Sequence, residues 1–245
     1  MFLFPLCLGF QAVDESQDYA AEDYARNVLN ALPPNALLLS NQGSVLVTPA
    51  TYLQQVEGFR PDVTVLDYTM LASPWFYREL ETRWPWLAQN SKAEIEALIV
   101  ECRSLEEKPS ATLEDTLQFS RRLVETVQSF FRANAEAHPL YVTGEVYSDF
   151  TTGWLRLPEG LVYRLAREVP AHLPRLADIS FRPIPPAFPL REQLALAYAL
   201  GYTNQGIYAA LALRDTASAR PLFRKALEVK PDFESAYRWL QSIGG

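Results

Sequence analysis

The amino-acid sequence predicts an α/β domain built on a small parallel sheet, followed by an all-α tail. Short apolar runs alternate with amphipathic helical segments between residues 18 and 85, the pattern of strands joined by helical crossovers. Six prolines crowd residues 170–189, and beyond them the chain is rich in Ala, Leu and Tyr. We therefore predict four parts: an apolar N-terminal segment (1–17), an α/β domain (18–169), a Pro-rich linker (170–189) and a helical tail (190–245).

The composition argues against several classes of function. The 245 residues include 22 basic and 29 acidic side chains without a basic cluster, so we expect no nucleic-acid partner. Cys7 and Cys102 are too few for a disulfide framework, and the histidines, His138 and His172, lack the spacing of zinc ligands. Neither common glycine-rich phosphate motif is present. We expect no metal and no cofactor.

The first residues, MFLFPLCLGFQA, form an apolar segment without a basic flank. A spanning helix needs about 20 apolar residues, and a signal peptide needs a basic start. Three interpretations stay open: the end of a transmembrane helix, which we favour, a degenerate signal segment, or a buried first strand.

The first predicted helix covers residues 18–32. Its apolar side chains recur at intervals of three and four residues, which places them on one face of a helix. These positions are Ala21, Tyr24, Ala25, Val28, Leu29 and Leu32. Pro33 and Pro34 end the helix.

Two short predicted strands follow, at 36–40 and 63–67. A helix is predicted between them at 49–58, and another after them at 74–84. Because strands joined by helical crossovers run parallel, this region resembles half of a Rossmann fold.

Parallel sheets of this kind bind ligands at the carboxyl ends of their strands. The polar loop after the first strand and the end of the second strand then meet at one edge, and a third predicted strand, at 139–147, adds to that edge if it joins the sheet. The candidate ligand-binding residues are Ser40, Asn41, Gln42, Gly43, Ser44, Asp67, Tyr68, Thr143, Gly144 and Glu145. The alternative, which turn chemistry favours, is that the loop only connects a strand to a helix.

Residues 91–137 are predicted to be mostly helical, with their carboxylates on a solvated face. Residues 154–165 are predicted to form a hairpin that turns at Pro158-Glu159-Gly160.

The tail contains a segment, TASARPLFRKALEVKPDFESAYRWL, that resembles a tetratricopeptide repeat. Ala219, Phe223, Ala226 and Pro231 match the pattern, whereas Ile207 and Arg214 depart from it. Only about one and a half repeats are visible, and a stand-alone solenoid needs about three, so we expect these helices to pack on the α/β domain. The expected protein-interaction residues are Tyr202, Tyr208, Tyr237 and Trp239, with core packing as the alternative.

Residues 19–80 carry a family resemblance. The stretch DYARNVLNALPPNALLLSN and the motif YLQxVEGxRPDVxVxD, which runs from Tyr52 to Asp67, resemble the C-terminal region of a bacterial membrane family similar to the protein O-mannosyltransferases. The resemblance implies a soluble domain on the extracytoplasmic (periplasmic) side of a membrane. It also implies that the partner is a multi-pass membrane domain of the same polypeptide, where the catalytic acids lie.

One loop departs from the family pattern. The family carries an acidic, Gly-Asp-Asn-Asp-like loop after the first strand, whereas this chain has Asn41-Gln42-Gly43-Ser44, without carboxylates. Within the motif, Arg60 and Asp62 form either a ligand clamp or, as turn chemistry favours, a turn in which Arg60 pairs with a carboxylate such as Glu57.

Three functions stay open. The leading one is a non-catalytic accessory domain of a membrane glycosyltransferase, which binds acceptor protein, peptide or glycan. The second is a stand-alone protein-interaction scaffold that uses the helical tail. The third is a soluble α/β enzyme acting on sugars, for which Asp67 and Glu145 are the candidate carboxylates.

Overall fold

A computed structural model of the protein describes residues 19–170 and 176–244. The apolar N-terminal segment, Cys7 and His172 lie outside these residues. The expectations made for them therefore concern residues that the structure does not describe.

The chain forms a five-stranded sheet in the order β2-β1-β3-β5-β4. The strands are β1 (Leu37–Ser40), β2 (Thr64–Asp67), β3 (Leu140–Thr143), β4 (Leu155–Glu159) and β5 (Val162–Ala166). β1 pairs in parallel with β2 and β3, whereas β5 pairs antiparallel with β3 and β4. The predicted α/β fold is therefore confirmed, and the predicted hairpin extends the parallel sheet beyond β3.

Helices surround the sheet. They are α1 (Ala20–Ala31), α2 (Thr48–Gln55), α3 (Phe76–Arg83), α4 (Pro85–Asn90), α5 (Lys92–Glu106), α6 (Leu113–Asn134), α7 (Arg191–Leu211), α8 (Thr216–Val229) and α9 (Glu234–Ser242). The C-terminal region is helical, as predicted. α4 was not predicted, although Pro85 at its first position is a typical helix start signal. None of the described helices is long and apolar enough to cross a membrane.

The sheet separates two apolar cores. Leu38 and Tyr141 belong to the core under α1, α2 and the tail helices, whereas Leu37 and Leu39 belong to the core under α3 to α6. Successive side chains on a strand point to opposite faces, and helices cover both faces here. All residues of β1, β2 and β3 are consequently buried.

Two predicted boundaries were wrong around the carboxyl ends of the strands. β3 ends at Thr143 instead of residue 147, because the Val146 amide turns back to donate to the Thr143 carbonyl at 3.2 Å. Helical winding after β1 begins at Gly43, before the predicted position 49. It begins there because the amides of Leu46 and Val47 both donate to the Gln42 carbonyl, forming a π-helical turn over Gly43–Val47.

Arg60 closes the end of α1. Its guanidinium donates to two carbonyls at that end, of Leu29 and Leu32, at 2.5 and 2.8 Å, and it pairs with Asp62 at 2.9 Å. Last-turn carbonyls have no partner inside a helix, so a cation is well placed there. The expected pairing of Arg60 with a carboxylate is therefore confirmed, but the partner is Asp62 rather than Glu57, which pairs with Arg26.

The helical tail packs on the sheet through a glycine. A Cβ atom placed on Gly201 in α7 would lie 2.5 Å from Cδ2 and 3.2 Å from Cα of Leu161, in the hairpin turn. An irregular strap, residues 176–190, leads into α7. In this strap the Ser180 amide donates to the Asn27 side chain of α1 at 3.1 Å. The tail and the α/β region therefore share one core.

A second glycine in α7 lets α8 approach. A Cβ atom on Gly206 would lie 2.6 Å from Cε1 of Phe223, whose other neighbour is the Trp239 ring, stacked at 6.2 Å. Gly206 thus supplies the small residue that the repeat pattern placed at Ile207. The assignment of the tail to the tetratricopeptide family stays a prediction.

Candidate functional site

Polar residues from β1, β2 and β3 meet where these parallel strands end. Ser40 lies opposite Asp67 in the register of β1 and β2, and the Thr143 hydroxyl lies 3.3 Å from the Ser40 hydroxyl. We call this surface the carboxyl-edge rim and define it as Ser40–Ser44, Asp67–Tyr68 and Thr143–Glu145. The structure thus brings together all ten residues that the sequence analysis selected as candidate ligand contacts.

A buried glutamine links the parts of the rim. The Gln42 side chain donates to Glu145 at 2.7 Å and accepts from the Tyr24 hydroxyl of α1 at 2.8 Å. The backbone N–H of Gln42 donates to the Ser40 hydroxyl at 3.0 Å. Gln42 is 3% exposed, so each of these bonds replaces one that water would otherwise make. The network fixes α1 and the loop after β1 against the end of β3.

Asp67 is a turn residue as well as a rim residue. One carboxylate oxygen accepts from the amide and the hydroxyl of Thr69, at 2.9 and 2.7 Å. The other lies 3.3 Å from where a Cβ atom on Gly43 would be, a tight contact that the absence of a side chain avoids. A negative charge at a helix start is electrostatically favourable. Asp67 thus stabilises the turn after β2 and the start of helical winding after β1.

The exposed side of the rim carries an aromatic cluster that the sequence analysis missed. The Tyr68 ring contacts Phe150 edge-on at 4.8 Å and lies 6.3 Å from Tyr147. Tyr147 is 67% exposed, beside the exposed Gly144 and two residues after Glu145. The only available signal was that Tyr147 ends the third predicted strand and Phe150 follows three residues later.

Burial keeps the phenols around the rim protonated. It raises the pKa of Tyr24 far above its usual value, and the nearby Glu145 charge raises it further. Burial likewise raises the pKa of Tyr68, and it raises that of Tyr163 to about 12. These hydroxyls therefore stay neutral near Glu145, and that of Tyr24 donates to Gln42.

The interior of the rim is closed. The cavity between Tyr24, Gln42, Glu145 and Gly201 has a volume of about 10 Å³, room for one water at most. Contact with a ligand is thus limited to the outer surface, which includes Ser44, Gly144, Glu145 and Tyr147. Among the described residues, no three or more His, Cys, Asp or Glu side chains lie close enough to hold a metal ion.

The predicted protein-interaction residues of the tail separate into two groups. Tyr202 and Tyr208 are 2% and 6% exposed and belong to the interior, so their proposed role as surface anchors conflicts with their position. Trp239 is half-buried against Phe223, whereas Tyr237 is 53% exposed. Aromatic spacing along a helix did not distinguish the core face from the solvent face.

Comparison with known proteins finds similarity in the first third of the chain. A family model described as TMEM260-associated domain 2 matches residues 21–93. The Protein O-mannosyl-transferase tmem260 of Dictyostelium discoideum is 36% identical over 68 residues, 28% of this chain and 8% of that protein. The Protein O-mannosyl-transferase TMEM260 of Mus musculus is 28% identical over 77 residues, 31% of this chain and 11% of that protein. No solved structure matches the chain significantly.

These matches support a relation to an O-mannosyltransferase-like family. The matched residues 21–93 hold α1 to α4, β1 and β2, and therefore the first two parts of the carboxyl-edge rim. The matched stretch is about a tenth of each relative's length. The relatives named here are eukaryotic, and the expected bacterial origin stays a prediction.

Proposed function

We propose that the chain is a non-catalytic accessory domain of a membrane glycosyltransferase of the protein O-mannosyltransferase type. In this proposal it lies on the extracytoplasmic side, its partner is the membrane domain of the same polypeptide, and it binds the acceptor protein. The observation that carries the proposal is that residues 21–93 match the model of TMEM260-associated domain 2 and that the chain is similar over 68 and 77 residues to proteins named O-mannosyl-transferases. A shared fold alone would not support a function, but here the matched residues 21–93 also include β1 and β2, two of the three strands that build the rim.

The direction of α1 supports an orientation for this domain. Tyr24, near the start of α1, contacts the rim, whereas the carbonyls at its end are held by Arg60, before β2 begins. α1 therefore starts on the rim side of the fold. In the proposed orientation the rim faces the membrane domain and meets an acceptor polypeptide held between the two.

The outer surface of the rim has suitable chemistry for a polypeptide. The Glu145 carboxylate can accept from the backbone amides and side-chain hydroxyls of a bound polypeptide. Tyr147 offers an exposed ring with a polar hydroxyl at its tip. A small number of polar groups placed beside an aromatic surface is typical of ligand-binding sites. The closed interior favours contact with an extended chain over enclosure of a small molecule.

Titration of the purified chain with a synthetic Ser/Thr-rich peptide without sugar tests the proposal. We expect Tyr147→Ala to weaken binding about tenfold, as removal of a central aromatic contact does, and Glu145→Gln to weaken it less. The matched control is Glu136→Gln, an exposed glutamate just before β3 rather than just after it. Equal affinities for all four proteins, including the unaltered one, would contradict a role of the rim in acceptor binding.

A further inference from the structure

A second site lies at the opposite edge of the sheet, where β1, β2 and β3 begin. There a cleft of about 440 Å³ opens between the loops before these strands and the loop between α3 and α4. Its walls include Asn35, Gln55, Asp62, Trp84, Trp86 and His138. We call it the amino-edge cleft. Its volume is within the range of about 300–1,000 Å³ typical of small-molecule sites.

Two aromatic groups form a rigid wall of the amino-edge cleft. The Trp86 and His138 rings stack at 3.9 Å with an angle of 12° between their planes. Nδ1 of His138 lies 2.9 Å from the Asn35 carbonyl and so donates to it. In the tautomer that makes this bond, Nε2 is free to accept a hydrogen bond. The wall thus combines an apolar surface with a fixed hydrogen-bonding group.

The charged side chains of the amino-edge cleft are already paired. Asp62 accepts from Arg60 at 2.9 Å. The Arg83 guanidinium lies 4.0 Å from the Glu79 carboxylate and 4.7 Å above the Trp84 ring. The Gln55 side-chain oxygen, once its amide is oriented to face Arg83, accepts from it at 3.0 Å. The cleft therefore has no free cation or anion among these groups, which favours a neutral ligand over a phosphate or a carboxylate.

We propose that the amino-edge cleft binds a hexose. A pyranose ring is neutral, has an apolar C–H surface suited to the face or edge of an indole, and has hydroxyls that both donate and accept. Asp62, Gln55 and His138 supply the complementary polar atoms around Trp84 and Trp86. The inference deepens the proposed function and rests on it for the source of the sugar, the glycan of an acceptor. It also places the sugar on the edge away from the rim.

The five tryptophans provide a direct test, because each has its own indole N–H resonance. The chain, labelled with ¹⁵N, is titrated with methyl α-mannoside, and the resonances are assigned with single Trp→Phe variants. We expect the Trp84 and Trp86 signals to shift with a Kd of about 1 mM, a value typical of a weak small ligand. The Trp75 signal, from a 64% exposed side chain outside the amino-edge cleft, should stay in place.

Two variants assign the binding to this cleft. Gln55→Ala, at an exposed position, and Trp84→Ala should each raise the Kd about tenfold, with Trp75→Ala as the matched control. Gln55→Ala keeps the test valid if Trp84→Ala fails to fold. Shifts that are absent at about 50 mM sugar, or that centre on Trp75 or Trp239, would overturn the proposal. Peptide binding that still depends on Tyr147 would show that the proposed function survives such a failure.

Discussion

The contact between Gly206 and Phe223 predicts how α7 and α8 respond to a single added methyl group. Gly206→Ala places a Cβ atom 2.6 Å from Cε1 and 2.9 Å from Cδ1 and Cζ of the Phe223 ring. Phe223 is fully buried and the Trp239 ring stacks on it, so the ring has little room to move. We expect steric strain to exceed the gain in helix propensity.

The magnitudes follow from these contacts. Overpacking costs about 1–3 kcal/mol, while Gly to Ala in a helix gains about 1 kcal/mol, so Gly206→Ala should lower the free energy of unfolding by about 1 kcal/mol. Phe223→Leu alone should lower it by about 1–1.5 kcal/mol. In the Leu background the clash is relieved, and Gly206→Ala should then raise the free energy of unfolding by about 1 kcal/mol. The expected coupling between the two sites is thus about 2 kcal/mol.

Urea unfolding of the four proteins, followed by far-ultraviolet circular dichroism, measures this coupling. Gly201→Ala in the same helix is the matched control, because its clash is with Leu161 and should persist in the Phe223→Leu background. Effects of Gly206→Ala and Phe223→Leu that add within about 0.5 kcal/mol would refute the proposed packing of α7 on α8.

Three further variants test other contacts by the same unfolding assay. Tyr24→Phe leaves the buried oxygen of Gln42 without its donor and should lower the free energy of unfolding by about 1–3 kcal/mol. Arg60→Ala removes charged hydrogen bonds at the end of α1 and should cost about 2–3 kcal/mol. The hydrogen bond from Lys108 lowers the pKa of Asp115 to about 2, below its unfolded value of about 4. Asp115→Asn should therefore be destabilising at neutral pH, and the difference should vanish as the pH falls from about 4 to about 2.

Each of these variants has a matched control. Tyr52→Phe alters a tyrosine that is 52% exposed, and Arg78→Ala alters an exposed arginine of α3. Glu114→Gln removes the charge next to Asp115 in the first turn of α6. The corresponding interpretation would be wrong if a variant and its control changed the unfolding free energy equally, or if the Asp115→Asn difference persisted at pH about 2.

The sequence predicted the carboxyl-edge rim because its assembly depends only on strand direction. Two strands joined by a helical crossover run parallel, so Ser40 and Asp67 had to emerge at the same edge. The closure of the rim was not predictable in this way. It depends on the rotation of α1, which brings Tyr24 to Gln42, and on Gly201, which comes from a distant part of the chain.

The amino-edge cleft was also hidden in the sequence. Trp86 in α4 and His138 just before β3 are far apart along the chain, and only the packing of the folded chain stacks their rings. In the tail, a pattern of fixed spacing placed the small residue at Ile207, whereas the packing uses Gly206. Such one-residue differences depend on helix rotation, which a spacing pattern does not specify.

The size and location of the native protein test the central claim most directly. Cell fractions can be probed by immunoblot with an antibody raised against the helical tail, residues 190–245. An accessory domain of a membrane glycosyltransferase should appear in the membrane fraction, resist an alkaline carbonate wash, and belong to a polypeptide much larger than 27.7 kDa. A species of 27.7 kDa that the wash releases, or that is found in the supernatant, would contradict the account.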